Sequence, residues 1–130
     1  MAIVEFTKEQ MDQARQEIVE ILILQAQAGE PIYYSELVQK VKAIEIGYKD
    51  WRLSQLLTEI SVAEDKANRG MLSVLVVHND RKKLPGDQFF SLAEKLGRKV
   101  STKKAFWEEE FELVCGYWKS NKDFLNLKPA

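Results

Sequence analysis

The stretch Met71 to Phe90, MLSVLVVHNDRKKLPGDQFF, is the one long β-branched apolar run in the chain, and it stops abruptly in a basic turn closed by Pro85 and Gly86. A polypeptide with one such run cannot assemble a broad sheet, so helices must carry most of the core. The near-continuous apolarity of Val74 to Val77 predicts a strand over Met71 to His78, buried on both faces. Asn79 to Gly86 then reads as a loop. Phe89, Leu92, Ala93 and Leu96 recur at helical steps, so a short helix ending at Gly97 follows the loop in place of a returning hairpin strand.

Three helical patterns precede this run. Thr7 with Gln10 forms a capping box, in which a hydroxyl accepts a first-turn N–H and a side chain three residues on reaches back. Met11, Ala14, Ile18 and Leu22 give the buried stripe, and Gly29 followed by Pro31 gives the stop. Ile32 to Tyr34 is a short β-forming run fit for one edge pairing. Ser35 is placed to cap a second helix over about Glu36 to Ala43, with Leu37, Val38 and Val41 inward. Asp50 caps a third, in which Leu53, Leu56, Leu57 and Ile60 face the core and Arg52, Gln55, Glu59, Val62 and Lys66 face out.

Arg98 to Lys104 is a polar hinge, and Ser101 or Thr102 is placed to cap a last helix. Phe106, Trp107, Phe111, Val114 and Trp118 form an aromatic stripe along it that fits a core surface packed on the first helix, or else a dimer interface. Glu108 to Glu110 near its start suit the helix dipole, and the acids from Glu108 to Glu112 read mostly as a solvated face.

Length and composition bound the rest. With 130 residues, 45% hydrophobic and 30% charged, the chain supports one domain: a core over residues 1–97, a hinge over 98–104, and a C-terminal helix and tail over 105–130. No run reaches the roughly 20 apolar residues of a membrane span, and the N-terminus has no secretory pattern, so a cytoplasmic protein is expected. One cysteine and one histidine give neither a disulfide nor a metal cluster, and no cofactor motif is present. The net charge of −1 conceals an asymmetry: residues 1–65 carry −6, residues 66–104 carry +7 and residues 105–130 carry −2. A basic block in an acidic chain is the footprint of a surface for phosphate or for an acidic patch.

The order helix, short strand, helix, helix, strand, loop resembles the winged-helix superfamily across about Thr7 to Phe90. The fold class expected is therefore α+β, mostly helical: a winged-helix-like domain with a small two-stranded sheet and an added C-terminal helix. A narrower resemblance is to the DNA-binding domain of the O6-alkylguanine-DNA alkyltransferases and alkyltransferase-like proteins. Tyr34-Ser35-Glu36 resembles the turn that opens that family's second helix, Arg52 lies near the place of its recognition-helix arginine, and Leu72 to Val77 occupies its reactive strand. There Leu72 stands for the proline, Ser73 for the reactive cysteine, Val74 for the histidine and Leu75 for the arginine, and the separation from Arg52 to Ser73 is longer. Ser73 supplies no thiolate, so the resemblance implies a DNA-reading shell without alkyl transfer. Leu84-Pro85-Gly86-x-x-Phe89-Phe90 resembles a segment of small bacterial proteins and implies no activity.

No constellation supports catalysis. His78 with Asp80 two residues on lacks a nucleophile, Cys115 reads as a small buried hydrophobe, and Leu84-Pro85-Gly86 lacks the glycine pattern that cradles phosphate. The expectation is a non-enzymatic protein that binds DNA. Tyr34, Arg52, Gln55, Lys66 and Arg69 lie at or near the reading helix, and Arg81, Lys82, Lys83, Arg98 and Lys99, with Lys103 and Lys104, are set to engage phosphates. The alternative is a protein-interaction adaptor, anchored by Tyr48 and Trp51 or dimerising through the C-terminal aromatic helix.

Overall fold

The computed structural model describes residues 5–123; the tail expected beyond the last helix lies largely outside them. Its elements are α1 (Lys8–Ala28), β1 (Ile32–Tyr33), α2 (Tyr34–Lys40), α3 (Trp51–Lys66), a 3-10 turn (Leu72–Leu75), β2 (Val76–Val77), α4 (Asp87–Lys95) and α5 (Lys103–Lys119). The fold is mostly helical, with a two-stranded sheet that pairs Ile32 with Val76 and Tyr33 with Val77 in parallel. Parallel pairing requires a crossover, here supplied by α2 and α3.

The caps of α1 and α3 form as their sequences dictate. Gln10 N–H donates to Thr7 Oγ1 at 3.1 Å while Thr7 N–H donates to Gln10 Oε1 at 2.8 Å. Gly29 closes α1 at φ 72°, a left-handed conformation that glycine adopts without strain. Asp50 caps α3 by accepting the Arg52 N–H at 2.9 Å. α4 ends at Lys95 and Gly97 takes φ 90°, close to the expected stop.

Three expectations change. The strand over Met71 to His78 is replaced by a 3-10 turn followed by only two strand residues, although Met71 to Val77 are all buried as expected. The turn is held from the side: Ser73 N–H donates to Ser61 Oγ at 3.0 Å, the two hydroxyls lie 2.6 Å apart, and Trp107 Nε1–H donates to Val74 O at 2.9 Å. Those partners compete with a ladder and win. Helix α2 begins at Tyr34 and ends at Lys40, because Glu36 reaches back to the Tyr33 N–H at 3.2 Å. Beyond its end, the Glu17 carboxylate accepts from Lys42 and Ala43 N–H at 3.0 and 2.8 Å, which holds that backbone out of the helix. Finally, the first turn of α5 holds no acid, and Glu110 is buried. Its carboxylate accepts the Met71 N–H at 2.8 Å and faces Arg98 at 3.4 to 3.5 Å.

The aromatic stripe of α5 turns inward. Phe106, Val114 and Trp118 are buried in a core shared with Ile18, Leu22 and Ala26, and α5 packs along α1. Phe106, Val114 and Trp118 thus take the core-facing arrangement, and Trp107 and Phe111 are partly buried against that core. No helix among the described residues is long and apolar enough to cross a membrane.

Candidate nucleic-acid interface

The start of α3, the segment after β2 and the start of α4 enclose a cleft of about 350 Å³. Its floor is Ser73 and its walls include Leu53, Leu57 and Phe89. On one side the Tyr34 and His78 rings lie against each other, centroids 4.7 Å apart and tilted by 34°. Tyr34 is fixed by its hydroxyl, which accepts the Gly86 N–H at 3.0 Å. Burial pushes this phenol up from its ordinary pKa and the Gly86 bond only tempers the shift, so Tyr34 stays a neutral hydroxyl. Gly86 lies close to both side chains: an added Cβ would make ordinary contact with His78 Nε2 at 3.4 Å and the Tyr34 oxygen at 3.6 Å. On the opposite rim stand Tyr48 and Trp51, 48% and 67% exposed.

Cations gather around this opening. Lys49 Nζ lies 5.6 Å from the Tyr48 ring centroid. Across His78, a second hollow of about 590 Å³ is bordered by Arg81, Lys82, Lys103 and Lys104. Asp80 shapes the intervening loop, its Oδ1 accepting Lys82 and Lys83 N–H at 3.0 and 2.9 Å, and Lys83 sits at φ 51°. One oxygen of that carboxylate is thus engaged by the turn. Lys103 bonds Asp87 at 2.8 Å and holds its carboxyl below the usual range. Among the described residues, Arg81, Lys82, Lys83 and Lys104 form no ion pair.

The expected site residues separate into two groups. Tyr34 lines the cleft, Gln55 lines an adjoining groove of about 500 Å³ between α3 and α4, and Arg81, Lys82 and Lys83 lie on the loop beside them. The others are elsewhere. Lys66 and Arg69 lie at the far end of α3, about 22 Å along its axis from Trp51 at ~1.5 Å per residue. Arg69 is paired with Glu64, and Arg98 bridges Asp65 and Glu110, so both guanidiniums serve the fold. Lys99 is exposed in the segment after α4. Arg52 forms a two-pronged pair with Asp50, at 3.0 and 2.7 Å, and lies over the Phe6 ring at 4.4 Å. The +7 segment is thus not a +7 face.

Residues that the spacing did not assign to a DNA site complete the cleft: Lys49 and Gln88 on its rim and His78 in its wall. The signal for Lys49 was its place beside Tyr48 and Trp51, just before an N-cap. Cys115 is buried, with its thiol pushed up by that burial, and no group of three or more metal-binding side chains is present among the described residues. No family model, curated protein or solved structure matches the chain.

Proposed function

We propose that this chain is a non-catalytic, winged-helix-like domain that binds nucleic acid through the cleft at the start of α3 and the cationic loop beside it. The observation that carries the reading is the adjacency of a cleft lined by exposed or part-exposed aromatic rings, Tyr34, Tyr48, Trp51 and His78, with Lys49, to a hollow on the far side of His78 bordered by Arg81, Lys82 and Lys104. Aromatic faces suit bases and cations suit phosphates, and the two types lie in neighbouring hollows that share His78 and Gly86. The chain as a whole is acidic, with a pI near 5.9, but the acids at the far end of α3, Glu64 and Asp65, are paired with Arg69 and Arg98, away from the loop cations.

Ser73, the one serine of the 3-10 turn that lines the cleft, has its hydroxyl bonded to the buried Ser61 hydroxyl and not to a histidine or carboxylate that would activate it, which supports binding over reaction. The test is fluorescence anisotropy of a labelled 20-mer, duplex and single-stranded, titrated at several salt concentrations. Affinity is expected to fall with salt, with a log–log slope of about −0.7 to −0.9 per phosphate contacted. Alanine at Arg81, Lys82 and Lys104 together should flatten that slope by about 2 to 3 units. Absence of binding to every strand form at low ionic strength refutes the proposal.

A further inference from the structure

We infer that Trp51 is a stacking platform for an unpaired nucleobase, so that the protein selects single strands over duplex; the inference rests on the nucleic-acid reading and deepens it. The chain has three tryptophans, and their environments differ. Trp118 is fully buried, and Trp107 donates its indole N–H to Val74 O and packs on Phe111 with centroids 4.8 Å apart. Trp51 is 67% exposed at the first position of α3. Among the exposed large apolar side chains, Leu24, Tyr48, Trp51 and Leu113, Trp51 is the most exposed, and the burial that its ring forfeits marks it as a contact surface.

Its placement specifies the contact. Trp51 borders both the cleft and the groove between α3 and α4, so a flat ring laid on the indole would have space on either side. Hydrogen-bonding side chains, Ser54, Gln55, Thr58 and Gln88, line that groove with it, together with the charged pair of opposite sign Glu59 and Lys95. Among the described residues, most of the unpaired cations of the site lie on the other side, Lys49 at the cleft and Arg81 and Lys82 at the hollow beyond His78, with Lys95 the one cation lining the groove. Bases on one side and phosphates on the other is how one strand presents itself when its bases are splayed.

A duplex fits less well. Inserting α3 into a groove would flank it with two rows of phosphates, and its outer face answers with a carboxylate in the middle. Glu59 is exposed there at the border of the groove, and among the described residues it pairs with Arg15 at 3.1 Å. Arg52, the arginine nearest the helix start, is taken by Asp50.

The experiment compares a single-stranded 20-mer, as DNA and as RNA, with the blunt duplex of the same sequence, reading anisotropy and tryptophan emission together. Wild type is set beside Trp51→Ala and Trp51→Phe, whose folding is checked by circular dichroism and thermal melting; an exposed position makes loss of fold unexpected. The expected result is tighter binding of at least one single strand than of its duplex, with quenched tryptophan emission. Trp51→Ala should weaken that binding about 5- to 150-fold, the range of one lost base stack, with substantial recovery in Trp51→Phe. Equal or tighter duplex binding, or single-strand binding that neither quenches emission nor responds to Trp51→Ala, overturns the inference and leaves nucleic-acid binding intact. Binding of no strand form overturns both.

Discussion

Replacing Ser61 should cost far more stability than replacing Ser73, although the two hydroxyls share one hydrogen bond. Ser61 lies on the buried face of α3, and its oxygen receives two contacts: the Ser73 N–H at 3.0 Å and the Ser73 hydroxyl at 2.6 Å. In Ser61→Ala both groups of Ser73 lose their partner in a site where Ser73 is 6% exposed. A buried polar group left unpaired costs about 1–3 kcal/mol, and the gain in helix propensity on going to alanine returns only about 0.5 kcal/mol. For the two groups together the expected loss is about 1.5–5.5 kcal/mol, a large share of the roughly 5–15 kcal/mol that holds a small domain folded. In Ser73→Ala the backbone N–H keeps its acceptor, and the Ser61 hydroxyl can turn to the carbonyl one helical turn back. About 0.5–1.5 kcal/mol is expected there. Urea unfolding, with the slope unchanged between variants, measures both. Equal losses, or a larger loss for Ser73→Ala, would mean that the Ser61 oxygen does not hold the 3-10 turn, and the account of why this segment is not a strand fails.

Glu110→Ala should lower stability by about 2–4 kcal/mol in urea unfolding, since it strands the buried Met71 N–H and removes one partner of Arg98. Glu110→Gln, which keeps the acceptor, should lose less than half as much, and parity between the two would contradict the pairing. Gly70→Ala should cost about 2 kcal/mol, because φ is +87° and an added Cβ would lie 2.6 Å from Leu113 Cδ2 and 2.8 Å from Val114 Cγ2. A variant as stable as wild type would refute that crowding. Asp50 is held below the ordinary carboxyl range, chiefly by its hydrogen bond from Arg52. A depressed folded pKa contributes stability that is present above the unfolded value of about 3.9 and lost as pH falls below it. Melting temperatures between pH 7 and pH 2.5 should therefore fall less steeply at the acid end for Asp50→Asn, which keeps the cap, than for wild type; identical acid limbs would count against it.

Local signals proved readable wherever a segment satisfies its own backbone. The Thr7–Gln10 box, the Asp50 cap, the Gly29 stop and the helical steps from Leu53 to Ile60 are all short-range, and the structure realises each of them. What failed was decided at a distance. Val74 to Val77 has the composition of a strand, but Ser61, twelve residues before Ser73, and Trp107, thirty-three after Val74, take the backbone groups that a ladder would use. The end of α2 is set by Glu17 from a different helix, and Glu110 looked like one of several solvated acids until Met71 and Arg98 met it. The candidate site shows the same division. That the loop carries Arg81, Lys82 and Lys83 outward follows from the sequence, because Asn-Asp and Pro-Gly punctuation leaves them nowhere to be buried. That Arg69 and Arg98 are consumed by Glu64, Asp65 and Glu110 does not, since a charge count carries no information about which side chains meet.

Backbone amide chemical shifts of the labelled protein, followed while a short oligonucleotide is added at low salt, test the central claim most directly. Binding at the proposed face predicts that the perturbed amides cluster at 48–58, 78–88 and 103–105, with the indole N–H of Trp51 among them and the region of Arg69, Arg98 and Glu110 unmoved. Perturbations centred on Arg69 and Arg98, or no perturbation at any ratio of oligonucleotide to protein, would contradict it.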